Sequence, residues 1–98
     1  MKTIQIFDYV GAFAENKDVA RDLRLQHLMP ALEKGEDIVL DFARVEDATQ
    51  SFIHALISDA LRKHGTTVAL ERIAFKSCNE TVKKIITLVV DYMQESEG

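Results

Sequence analysis

The densest hydrophobic signal lies between Asp37 and Gly65, DIVLDFARVEDATQSFIHALISDALRKHG. Ile38, Val39, Leu40, Phe42 and Val45 form a nearly continuous apolar run, broken by Asp41. A short run of this kind predicts a strand buried in a sheet covered by helices. After a polar turn the period changes: Phe52, Leu56 and Ala60, and alongside them Ile53, Ile57 and Leu61, recur at helical spacing. Gly65 supplies a stop, preceded by Arg62, Lys63 and His64, cations that suit the negative end of a helix dipole. Two caps offer themselves for the helix start: Asp47, with Gln50 at the third helical position, or Thr49 further along.

The flanking segments repeat this alternation. Thr3 to Val10 reads as a first strand, with Ile4 and Ile6 on one side and Thr3, Gln5 and Phe7 on the other. Gly11 to Asn16 reads as a loop. Lys17 to Lys34 reads as a helix capped by Asn16, with Val19, Leu23, Leu28 and Leu32 on its apolar face, joined by Leu25 and Met29. Pro30 sits inside that pattern and predicts a kink near Gln26 and His27, because proline lacks the N–H and its ring meets the preceding turn. Gly35 ends the helix. Thr66 to Leu70 reads as a loop or a short extended piece. Arg72 to Lys76 reads as a third strand, with Ile73 and Phe75 facing one way and Arg72, Ala74 and Lys76 the other. Ser77 and Glu80 form an S-x-x-E capping pattern, with Asn79 as a competing cap. The last helix spans about Glu80 to Gln94 on Val82, Ile85, Ile86, Val89 and Met93, and the terminal ESEG is expected to fray.

The expected architecture is α/β: a small two-layer βαβαβα fold around a mainly parallel sheet. The strands should run in sequential order with the helices on one face, because one face of the strands is apolar. The other face carries Thr3, Gln5, Val39, Asp41, Ala43, Arg72 and Lys76. Three strands make a narrow sheet with two open edges, so an extra short strand or an edge partner is expected. The loops Gly11–Asn16, Ala43–Gln50 and Ser77–Asn79 then gather at the carboxyl ends of the strands, where parallel sheets meet ligands. Thr49, Gln50, Ser51, Ser77 and Asn79 should meet there.

Composition narrows the function classes. The chain has 98 residues, enough for one small domain with a modest core. With 12 basic and 16 acidic residues its formal net charge is −4, and no dense basic patch points to a nucleic-acid backbone. One cysteine, Cys78, leaves no internal disulfide and fits a reducing compartment. MKTIQIFDYVG is too polar for a signal peptide, and no apolar run approaches the ~20 residues that span a bilayer. A cytoplasmic location is expected.

Candidate chemistry adds little. Ser51 and His54 lie three apart on one predicted helix, but no third group orients them as a nucleophile and base. His27, His54, His64 and Cys78 show no metal-ligand spacing. The four glycines are scattered rather than gathered into a phosphate loop. Asp41 is expected on the polar side of the sheet or tying down a loop. The reading is a non-enzymatic chain with no cofactor and no metal. On the last helix, Leu88, Val90 and Tyr92 widen the apolar arc beyond what one core contact needs, which suggests a partner or dimer surface.

The stretch IVLDFARVEDATQSFIHAL, followed by RIAFKSCNETVKKII, resembles the STAS-like domains of uncharacterised type found in bacteria and phages. More distantly it is similar to the STAS domains of anti-sigma factor antagonists. The resemblance runs from about Val19 to Val90 and implies a strand–helix superhelix with sequential strands. In the antagonists an Asp-Ser-Ser-Gly-like turn follows the matching strand, and its serine is phosphorylated by a histidine-kinase-like ATPase. Laid on this chain, the turn falls on Thr49, Gln50, Ser51 and Phe52, with Ser51 at the phospho-acceptor. Thr49 stands where the family has Asp, Gln50 where it has a small residue, and Phe52 where it has Gly. The resemblance thus implies a regulatory protein–protein interaction module. Its partner-binding rim would be Asp47, Thr49, Gln50, Ser51 and Phe52, and its protein partner an ATPase of that kind, with homo-oligomerisation open. The alternative is a small accessory or scaffold protein of bacterial or phage origin without the switch.

Overall fold

A computed structural model describes residues 1–97 of the chain. The central strand is β3, Ile38–Asp41, with β1, Lys2–Gln5, and β5, Ile73–Lys76, parallel to it on either side in the order β1-β3-β5. This is the sequential parallel sheet the alternation predicts. The register sets Ile4, Leu40 and Phe75 in one cross-strand row and Gln5, Asp41 and Lys76 in the next. Side chains alternate between faces, so the first row meets the helices and the second lies on the other side. Thr3, Gln5, Ala74 and Lys76 on that second face are exposed. Val39 and Asp41 are not: the central strand is buried throughout, because each of its residues is flanked on both sides. Asp41 meets its burial by local bonding, its Oδ1 accepting the Ala43 N–H at 2.9 Å. Asp41 thus lies on the second face and also ties down the adjacent loop, the two alternatives expected of it.

The first strand is shorter than its hydrophobic pattern. It stops at Gln5, and Phe7–Val10 forms a helical turn, α1, in which Gly11 N–H returns to Phe7 O. Ile4 and Ile6 are buried in the core, while Phe7 and Val10 pack against it only partly buried. Continuing the strand would carry Tyr9 and Val10 beyond the end of β3.

The first long helix begins where expected. α2, Lys17–Leu23, is capped by Asn16, whose side chain accepts the Asp18 and Val19 N–H groups. It continues through a π-helical turn, Arg24–Leu28, into α3, Met29–Glu33. The disturbance falls on Gln26 and His27, as Pro30 predicts, but takes the form of a widened turn, with Met29 N–H reaching back five residues to Arg24 O. The extra residue moves the Gln26 carbonyl away from the proline ring. Arg24 then reaches α4, Gln50–His64: its Nη1 donates to Ala55 O at 2.9 Å and lies 3.4 Å from Asp59 Oδ2. At the end of α3, Glu36 N–H bonds to Ala31 O and Gly35 N–H to Leu32 O. This Schellman arrangement needs the left-handed backbone that Gly35 supplies at φ 75°.

α4 is the centre of the helical layer. Phe52, Ile53, Leu56, Ile57, Ala60 and Leu61 are all fully buried, and each large side chain contributes about 1.5–3 kcal/mol by leaving water. Thr66 to Leu70 is neither loop nor strand. Thr66–Arg72 is a helix, α5, that follows α4 after the turn at Gly65. Its buried residues Thr66 and Ala69 are too few to show a period in the sequence. Arg72 therefore ends a helix rather than opening β5. The last helix, α6, spans Glu80–Glu97; of the expected frayed tail, Glu95 to Glu97 is helical and Gly98 lies outside the described residues. Among the described residues no helix is long and apolar enough to cross a membrane.

Candidate functional site

The carboxyl ends of the strands are bound together by a second, two-stranded sheet. β2, Phe13–Ala14, pairs in parallel with β4, Asp47–Ala48. Glu46 and Asp47 N–H groups bond to Ala12 O, and Thr49 N–H bonds to Ala14 O. The third loop is tied in by Asn79. Its Oδ1 accepts the Val82 N–H at 2.8 Å and caps α6. Its Nδ2 donates to Glu46 O at 2.9 Å and Val45 O at 3.4 Å. Of the two caps the S-x-x-E pattern left open, Asn79 is the one used. Ser77 instead takes a left-handed backbone, φ 59°. Arg44, at φ 71°, makes the same kind of turn just past β3, and its guanidinium stacks 4.2 Å over the Phe7 ring. The loops are thus fixed to one another by backbone and cap hydrogen bonds, while Ala14, Val45 and Ala48 are buried in the core beneath them.

On this platform stands the start of α4. Thr49 is the cap, its Oγ1 accepting the Phe52 N–H at 3.0 Å. Asp47 is not; its Oδ1 accepts the adjacent Ala48 N–H. Gln50 and Ser51 occupy the first two helical positions, where N–H groups lack intrahelical partners and the dipole is positive. Asp47, Thr49, Gln50 and Ser51 are all exposed, as a rim requires. Phe52 is not part of that rim: at 0% exposure it is one of the largest fully buried side chains. The physical reason is helical phase. Phe52 shares a face with Leu56 and Ala60, and that face is the core.

Beside the rim a shallow groove of about 530 Å³ runs between α4 and α6. Gln50, Ser51 and His54 line it from α4, Leu88 and Tyr92 from α6, and Lys17 from the start of α2. Leu88 is 45% and Tyr92 60% exposed, so the wide arc on the last helix opens outward here. The His54 and Tyr92 rings lie 6.4 Å apart, tilted. Ser51 and His54 share the groove, and Ser51 makes no side-chain hydrogen bond with His54. Ser77 does not join them; it lines a separate cleft with Phe75 and Cys78. There burial pushes the Cys78 thiol pKa up, partly opposed by the Lys83 charge and reinforced by that of Asp41. Among the described residues no three His, Cys, Asp or Glu side chains stand close enough to hold a metal ion.

Sequence reasoning missed Lys17 and the second role of Asn79. Lys17 follows an ordinary helix cap, and only the packing of α2 beside α4 carries it to the groove. The donor half of Asn79 has no periodic signal, although an Asn at a cap always has an amide to spare.

No curated protein and no solved structure matches the chain significantly. Residues 19–83, well over half of the chain, match the family described as the STAS-like domain of unknown function (DUF4325). That span holds β3, α4 and β5, the rim between them and the cap at Asn79. The chain belongs to this family of STAS-like domains.

Proposed function

We infer that this chain is a non-enzymatic regulatory module that binds a protein partner through the rim at Asp47, Thr49, Gln50 and Ser51 and the adjoining groove. One observation carries the reading: the exposed polar start of α4 runs directly into the exposed apolar pair Leu88 and Tyr92. Directional polar groups beside an aromatic and aliphatic wall are the composition of a protein interface. Ser51 adds a means of regulation. A phosphate there brings about −1.5 to −2 charges at neutral pH, faces the free N–H groups of α4 and has Lys17 lining the same groove. It would change the charge a partner meets at the helix start. By the distant similarity to anti-sigma factor antagonists, the partner is an ATPase of the histidine-kinase-like kind.

A second reading, a scaffold without the switch, is favoured by Glu46 and Asp47, whose carboxylates stand just before the helix start and oppose a phosphate. One pair of variants separates the two. Under the switch, Ser51→Asp and Ser51→Ala shift affinity for the purified partner in opposite senses at unchanged Tm. Protein isolated from its native host then carries a phosphorylated fraction mapping to Ser51 by intact-mass and peptide analysis. Equal affinity of the two variants removes the switch and leaves the scaffold, which in turn requires that Leu88→Ser weaken binding.

A further inference from the structure

The two outer edges of the main sheet are finished differently. In the row Ile4–Leu40–Phe75, Ile4 on the β1 edge is 3% exposed and Leu40 is fully buried. Phe75, the equivalent residue on the β5 edge, is only half-buried. Beside it a groove of about 390 Å³ opens between β5 and α6, walled by Cys78, Lys83, Ile86 and Thr87. The backbone is open on the same side. Lys76 O accepts the Phe42 N–H at 2.8 Å, so Lys76 turns its peptide groups toward β3. Alternation along the strand then turns the N–H and C=O of Phe75 to the free edge. An unpaired strand edge next to a helix, with an apolar slot between them, is the geometry in which an extended segment adds to a sheet.

Charge decides what kind of segment fits. The chain carries a net charge of −4, yet the charged side chain lining this groove is Lys83, with Lys76 exposed at the end of the strand. Glu80, at the start of α6, lines the neighbouring surface with Lys84 rather than this groove. Pairing of two copies through β5 would bring the Lys76 and Lys83 charges of both to one seam, and exposed lysines are a usual defence of an edge strand against self-pairing. An acidic segment meets no such opposition. We propose that the β5 edge and the groove beneath α6 take an extended, alternating apolar and acidic segment of a partner protein as a fourth strand. Its main chain pairs with Phe75, an apolar side chain covers Phe75 and Ile86, and a carboxylate meets Lys83. This surface is separate from the rim at Ser51, and the proposal stands without the function inferred above.

The test uses a capped, fluorescein-labelled hexapeptide of alternating Glu and Val, with an alternating Lys and Val peptide as its counterpart. The acidic probe should slow hydrogen exchange of the Phe75 amide and bind at least about fivefold more tightly than the basic one, the scale of a few surface charges. Lys83→Glu, an exposed change that leaves Tm in place, should reverse the order of the two probes, while Ser51→Ala should leave both affinities unchanged. Three outcomes overturn the proposal. The Phe75 amide exchanges at the same rate at millimolar acidic probe. The two probes bind alike to both proteins. Or the amide is already protected without probe while sedimentation shows a dimer, in which case a second copy occupies the edge.

Discussion

Helices α4 and α6 are both long, amphipathic and preceded by a polar cap, yet they end in different surroundings. α4 has neighbours on several sides: α2, the π-helical turn, α5 and α6 all pack against it. Its apolar positions are consumed by that packing, Phe52 included. α6 lies at the end of the helical layer. Val82, Ile86, Val89 and Met93 are buried in the core, while Leu88 and Tyr92 remain exposed over the groove. The same kind of apolar arc is therefore core on one helix and partly surface on the other. The lesson is that an apolar position reports only that a side chain favours burial; the number of neighbouring elements decides whether burial is complete.

The largest expected effect tests this difference directly. Leu56→Ala, in the middle of α4, should cost about 3 kcal/mol, because deletion at a fully surrounded site leaves a cavity. Val89→Ala on α6 should cost only about 1.5 kcal/mol, since fewer methyl groups are lost and one side of the helix can relax. Urea denaturation at constant m reads both, and equal losses would break the comparison.

The two caps sharpen it at smaller scale. Thr49→Ala removes one acceptor from the start of α4 and should cost about 1 kcal/mol. Asn79→Ala removes the α6 cap together with the donor to Glu46 O and Val45 O, and should cost about 2 kcal/mol. Asn79→Ser, which keeps an acceptor but not the amide donor, should fall between them. If Asn79→Ala costs no more than Thr49→Ala, the tie between the loops contributes nothing to stability. The smallest effect concerns the outward half of α6. Leu88→Ser and Tyr92→Ala should each change stability by less than about 0.5 kcal/mol. A larger loss in unfolding experiments would mean that these side chains hold α6 to α4 and are not available to a partner.

The candidate site was legible in part, and the boundary has a physical reason. Thr49, Gln50 and Ser51 could be placed at the carboxyl rim because a strand, a short turn and a helix leave a polar helix start nowhere else to go. Phe52 could not be separated from them by proximity in sequence, since one step along a helix turns a side chain by about 100° and here that step leads into the core. The pairing of β2 with β4 was invisible because two-residue strands carry no period. α5 was equally hidden, because seven residues with two buried positions match a loop as well as a helix.

What the sequence determined by itself is the part governed by local periodicity and local chemistry. The apolar runs set three parallel strands and the long helices; Asn16 and Gly35 set where the first helical segment begins and ends; Pro30 set where its turns widen. What only the tertiary structure decided is how many neighbours each face acquires. That left Phe75 half-covered at one sheet edge while Ile4 was sealed at the other, brought Lys17 to the Ser51 groove, and gave Asn79 two loops to hold. These outcomes depend on contacts between residues far apart in the chain, and no local pattern records them.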